Sequence, residues 1–200
     1  MDTEYRTKTG WLCLDFANTV DWHASSNPEE SLNKYADLIK WSVDRGIIPG
    51  DAKDVLLRKS EEKPAEAQAV LKKAREVREN IYHILSDATH GHPIKTTDLK
   101  GFNKAVGSAL AHSRLAPYER GLRWDWDSNS DRLDSVIWPV VKSAVDLMTS
   151  AMIKRVGQCA DEKGCGWLFW DSSRNRSRRW CDMSDCGNRA KVRRFYAKSK

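Results

Sequence analysis

The chain lacks any long uninterrupted apolar run, so no segment is a candidate to cross a membrane as a helix. Its first residues, Met1-Asp2-Thr3-Glu4-Tyr5, lack the basic flank and apolar core of a signal peptide. Both absences point to a cytoplasmic protein with no membrane partner. No Gly-rich phosphate loop, nucleophile elbow or His-Glu-x-x-His motif is present, so the expectation is that the protein is not an enzyme. No internal repeat or low-complexity tract appears either. What remains, 40% hydrophobic and 31% charged residues over 200 positions, is the composition of an ordinary globular chain. That length buries one full core and leaves room for a small appended module.

Cysteine is also sparse, at 5 residues, but 4 of them crowd the C-terminal end: Cys159, Cys165, Cys181 and Cys186. They read Cys-x5-Cys, a 15-residue gap, then Cys-x4-Cys. In a reducing compartment such a cluster is a metal site rather than a disulfide framework. Two close pairs separated by a hairpin-length spacer supply four thiolates for one tetrahedral zinc. Four protein ligands leave no open position for water or substrate, so the zinc is structural. The order is knuckle with Gly164, aromatic strand Trp167-Leu168-Phe169-Trp170, return through Arg178-Arg179-Trp180, then a basic helix opened by Cys186. This is the treble-clef order. Cys13, between Leu12 and Leu14, reads as a buried small hydrophobe.

Charge is as unevenly placed as cysteine. The net +6 resides in residues 159–200, which carry 11 Lys/Arg against 5 Asp/Glu, whereas residues 1–158 carry 23 of each. A positive block on a metal-pinned knob attracts polyanions, with salt-dependent affinity. The candidate nucleic-acid contacts are Arg174, Asn175, Arg176, Arg178, Arg179, Arg189, Lys191, Arg193 and Arg194. Most would meet phosphate; the two asparagines suit adenine edges or turns. Trp167, Trp170 and Trp180 either stack on bases or pack over the zinc.

Before the cysteine module the pattern is mainly helical. Trp11–Phe16 is apolar enough for a short strand. Asn27-Pro28 begins a helix carrying Leu32, Tyr35, Leu38 and Ile39, stopped by Gly46. A weaker helix follows Asp51, and Pro64 opens a long one whose stripe runs Ala67, Val70, Leu71, Ala74, Val77, Ile81, Tyr82, Leu85 and Ala88. Another follows Thr97, with Leu99, Phe102, Val106, Ala109 and Leu110 inward. Residues 113–127 form a hairpin turning near Glu119-Arg120-Gly121. A last helix spans Asp131–Val156, perturbed at Pro139, and runs directly into the cysteine module. The expected class is mainly α (α+β), with domains at 1–156 and 157–200.

In the N-terminal domain, Asp15 and Asn18 follow an apolar segment and open a loop, while Arg75 and Arg78 share one face of the long helix. These four are the candidate site for an anionic small molecule. The competing reading is an ion pair that ties Asp15 to one of the arginines.

The stretch from Cys165-Gly-Trp-Leu-Phe-Trp through Cys181 to Cys186-Gly187-Asn188-Arg189 resembles the CGNR zinc finger of bacterial proteins. Leu12-Cys-Leu-Asp-Phe-Ala-Asn-Thr19 and Ala74-Arg75-Glu-Val-Arg78-Glu resemble the opening and the long helix of the ABATE domain that usually precedes it. The resemblance implies stress-linked, DNA-binding transcription regulators, with residues 1–156 sensing a ligand or dimerising. The first cysteine gap is slightly longer than the family's usual one. The alternatives left open are an RNA-binding or ribosome-associated zinc protein and a protein–protein adaptor. A homodimer would suit paired half-sites on DNA.

Overall fold

The computed structural model describes residues 5–126, 132–161 and 163–198. Its axis is a helix of 27 residues. Pro64 fits its first turn, where a missing N–H costs nothing, and Gly91 ends it in a left-handed conformation (φ +70°). This helix is the fourth of seven among the described residues: α1 Leu12–Ala17, α2 Tyr35–Asp44, α3 Gly50–Glu62, α4 Pro64–His90, α5 Thr96–Leu110, α6 Trp138–Thr149 and α7 Asn188–Lys198. Residues Ala67 to Leu85 of the expected stripe of α4 are buried. They pack against α2, α3, α5 and α6. Among the described residues, three two-stranded antiparallel sheets accompany the helices: β1 Val20–Asp21 with β2 Glu29–Glu30, β3 Ser113–Tyr118 with β4 Gly121–Trp126, and β5 Val156–Gln158 with β6 Leu168–Trp170. The class is therefore mainly helical with a few short strands.

Several expected elements take a different form. Trp11–Phe16 is not a strand: Leu12–Ala17 is helix α1, and all six residues are buried. A short apolar run buried on every side carries no periodicity, so strand and helix look alike in sequence. The helix expected from Asn27-Pro28 begins instead at Tyr35. Asp37 supplies its start, because its carboxylate accepts from the amides of Asn33 and Lys34 (both 2.9 Å). Leu32 is buried as expected, but from the irregular segment before the helix. Leu99 and Leu110 on α5 are 43% and 49% exposed, leaving Phe102, Ala105 and Ala109 as the inward face.

The last helix is shorter than expected. Asp131 lies outside the described residues; a 3-10 turn at Ser135–Ile137 leads into α6, with Pro139 in its first turn. Ser150, in extended conformation, ends it and caps a second 3-10 turn, Ala151–Arg155, through a bond from the Met152 amide. Strand β5 follows and straddles the expected boundary at 156/157. Its partner is β6, not the return arm 178–180, which forms no strand. Thus β5 and β6 bracket the first cysteine pair, and Val156 and Leu168 both enter the main core.

Candidate metal centre and basic surface

Each cysteine is delivered by a different local device. Cys159 follows β5. Cys165 ends a knuckle in which Gly164 and Gly166 hold positive φ (+89° and +67°). Cys181 follows the return arm, whose Arg179 carbonyl accepts from the Ala160 amide at 2.9 Å. Cys186 sits in a wide π-type turn, Met183–Gly187, immediately before α7. All four Sγ atoms lie within 4.8 Å of one another. Cys165–Cys181 and Cys181–Cys186 are 3.6 Å apart, far beyond a disulfide bond of about 2.05 Å. Four ligands at about 2.3 Å around a tetrahedral zinc would be about 3.8 Å apart, so the cluster fits the ion as it stands.

The protonation of the thiols supports the same fit. Hydrogen bonds from Cys165 and Cys181 hold the Cys159 thiol low. Bonding with Cys159 raises Cys165 and, together with Cys165, Cys181; burial raises Cys186. Four thiols at this spacing cannot all ionise against one another, and a divalent cation removes that obstacle. The cluster is thus able to bind one zinc ion, which closes the shell and pins knuckle to helix. In finger peptides such a site contributes about 10–16 kcal/mol of folding energy.

Around the thiolates stands a set of charges that sequence reasoning assigned elsewhere. Arg189 donates to Cys186 Sγ (2.9 Å), to the Asp161 carboxylate (2.9 and 3.0 Å) and to Asp185. Arg193 meets the other oxygen of Asp161 at 2.6 Å. Asp161 is buried inside the first knuckle. Burial pushes its carboxyl up, but the two arginines outweigh this and hold it below the usual range. Arg178 donates to the carbonyls of Trp180 and Cys181, and its guanidinium lies 4.7 Å over Phe169. Asn188 donates to the Ser184 carbonyl at 2.8 Å, closing the turn before α7. Arg178, Asn188, Arg189 and Arg193 therefore carry structural bonds. Asp161 was missed; its only sequence signal is an acid between two ligands of a basic module.

The remaining candidate contacts face solvent. Arg174, Asn175, Arg176, Arg179, Lys191 and Arg194 are all exposed. Arg179 and Arg194 flank Trp180, with guanidinium carbons 5.4 and 5.7 Å from its ring. Trp180 and Trp167 pack on the cysteine cluster, and Trp167 Nε1 donates to the Val20 carbonyl at 3.0 Å. Trp170 is half-buried against the main core, under Arg155.

The four residues expected to form a small-molecule site are dispersed to other tasks. Asp15 accepts from the amides of Lys8 (2.7 Å) and Thr9 (2.9 Å) and pairs with Arg45 (3.0 Å), not with a helix arginine. Asn18 grips the finger: Nδ2 donates to the Leu168 carbonyl at 2.8 Å and Oδ1 accepts from the Leu168 amide at 2.9 Å. Arg75 donates to the Leu32 carbonyl. Arg78, buried, makes a two-pronged bond to Glu30 (both 2.7 Å) and reaches Glu79. Neither Asp15 nor Asn18 has a bond to either helix arginine, so the anticipated pocket is replaced by a scaffold of internal bonds.

That scaffold extends from Asn18 into a strap, residues 18–25, laid along the knuckle. The His23 and Ala24 amides donate to the Cys165 and Gly164 carbonyls, both at 3.1 Å. Tyr82 on α4 donates to the Gly166 carbonyl at 3.1 Å and accepts from Gln158 at 2.7 Å. Trp22, itself at φ +54°, lies 4.9 Å beneath the Arg189 guanidinium. No sequence signal marks these contacts, because their partners are 76 or more residues apart.

The ABATE family model, described as a putative stress-induced transcription regulator, matches residues 10–151. The model of the CGNR zinc finger matches residues 155–199. No curated protein matches the chain. Helix α1, the long α4 and the strap thus lie in the first match, and the four-thiolate cluster with its Arg189 clamp lies in the second. The chain belongs to the ABATE family and ends in a CGNR zinc finger whose four cysteines are placed to bind one zinc ion.

Proposed function

We propose that the protein is a non-enzymatic, cytoplasmic transcription regulator that binds DNA through the outer surface of its finger. The observation that carries this reading is charge segregation. The entire net +6 belongs to residues 159–200. Once Arg189 and Arg193 are committed to Asp161, the cations left outward include Lys163, Arg174, Arg176, Arg179, Lys191 and Arg194, none of which has an ion pair among the described residues. Such unneutralised cations on a rigid knob suit phosphates, which position a protein on nucleic acid. The test is fluorescence anisotropy of the zinc-loaded chain on duplex DNA across salt concentrations. Affinity should fall with a log–log slope of about −0.9 per phosphate contact. Reversing Arg179, Lys191 and Arg194 to glutamate should abolish binding while zinc content stays at one per chain. Unchanged affinity in that variant would make the finger a brace and favour an adaptor role.

A further inference from the structure

Four large apolar residues of the finger are exposed, three of them on α7. Val192, Phe195 and Tyr196 of α7 are 54%, 68% and 66% exposed, and Met183 in the preceding turn is 49% exposed. At 100° per residue, Lys191, Val192 and Phe195 share the outward face with Asn188, opposite buried Ala190 and half-buried Arg193. Tyr196 and Arg194 flank this face. Beside Val192 lies a hollow of about 340 Å³, lined also by Lys163, Ser184, Asp185 and Asn188. This is the low end of the range for small-molecule sites.

The chemistry of this surface restricts what covers it. Helix α7 carries Arg189, Lys191, Arg193, Arg194 and Lys198 and no acidic residue, so a second copy would set like charges face to face. A partner must bring negative charge and flat apolar faces together. Nucleic acid does so, but in a duplex the base faces are stacked inside and only edges and phosphates are offered. Unpaired nucleotides offer the faces, and aromatic rings beside cations are the recurring platform for them. We infer that the finger binds unpaired nucleic acid, with bases stacked on Phe195 and Tyr196, one base edge seated in the hollow against Ser184, Asp185 and Asn188, and phosphates on Lys163, Lys191 and Arg194. This rests on the nucleic-acid reading above and specifies its substrate as single-stranded.

The experiment uses the full zinc-loaded chain and labelled 20-mers of single-stranded DNA and RNA, the same DNA sequence annealed as duplex, and phosphatidylserine vesicles. A single strand, DNA or RNA, should bind at least tenfold tighter than duplex at equal salt. Phe195→Ala with Tyr196→Ala should weaken single-strand binding by about tenfold or more, given the usual worth of base stacking, with zinc content and circular dichroism unchanged. Phe195→Trp should retain affinity. Equal or tighter duplex binding, or indifference to the double substitution, overturns the inference; the proposed DNA binding then still stands if glutamate at positions 179, 191 and 194 abolishes duplex binding. Vesicle binding tighter than either oligonucleotide, lost with the same two rings, also overturns it. Binding to no oligonucleotide overturns both.

Discussion

Asn18 and Arg189 show how single side chains here serve assembly rather than recognition. The Asn18 carboxamide satisfies both backbone groups of Leu168, a residue with no solvent exposure. Removing it strands a donor and an acceptor at a buried strand, at about 1–3 kcal/mol each. Asn18→Ala should therefore lower the urea midpoint and weaken protection of the β6 amides; an unchanged midpoint would contradict the clamp. Arg189 donates to Cys186 Sγ while holding Asp161 and Asp185. Partners of this kind around a metal site typically account for 10–100-fold in affinity, so Arg189→Ala should release zinc to a competing chelator at correspondingly lower concentration. Glu79 carries a pH signature. Burial pushes its carboxyl up, but hydrogen bonding and charge from His23 and Arg78 hold it down to about 2, against an ordinary value of 4.5. A depressed carboxylate stabilises the fold fully above its unfolded value and loses that contribution as pH falls from about 4.5 towards 2. Urea midpoints measured across this window should decline, and Glu79→Gln should remove part of the decline.

At the scale of elements, the strap and knuckle are fitted at van der Waals contact, so their glycines are geometric necessities. A Cβ on Gly166, at φ +67°, would lie 2.6 Å from Ala24 Cβ and 2.8 Å from its amide nitrogen. One on Gly164, at φ +89°, would lie 2.7 Å from the Ser25 backbone. Neither neighbour is the far end of a flexible chain, so the strap itself must move. Gly166→Ala should cost more than the roughly 1 kcal/mol of the backbone conformation alone and expose the His23 and Ala24 amides to hydrogen exchange. Retained protection at both amides would argue that the strap yields freely. The connection between helix and finger is a second lesson at this scale. The connection is not the one continuous helix expected from the sequence but is broken at Ser150, and the N-terminal domain holds the finger through β5, β6, the strap and Tyr82.

For the whole molecule, the finger and the helical domain share a core. Val156 and Leu168 belong to the same buried cluster as Leu12, Phe16 and Leu85. Truncation after residue 158 would remove Leu168 and uncover that cluster, so the helical domain depends on the finger for part of its core. Zinc removal should destabilise the entire chain. A ligand that binds only the folded state adds about 4 kcal/mol at a thousandfold excess over its dissociation constant, and chelation removes that amount. Helical ellipticity should then melt at a lower temperature in the chelated protein and in Cys181→Ser. A melting temperature of the helices that ignores zinc would mean the two units fold apart.

Features governed by near neighbours were legible in the amino-acid order. The long helix was readable because Pro64 and Gly91 bound a periodic stripe, the hairpin because its turn and alternation are local, and the metal site because thiolate ligands come in close pairs. The charge block was equally plain, since it is a count. What only the tertiary structure decided is which polar groups have partners. Asn18 was visible as a polar residue after an apolar run, but its partner, Leu168, lies 150 residues away. Arg178, Arg189 and Arg193 looked identical to Arg179 and Arg194 in sequence; bonds to buried Asp161 for Arg189 and Arg193, and to the Trp180 and Cys181 carbonyls for Arg178, separated the structural from the outward set. Local sequence specifies backbone periodicity and ligand spacing. The pairing of a buried charge or a strand edge is set by whatever the folded chain brings within about 3 Å, and no local pattern encodes that distance.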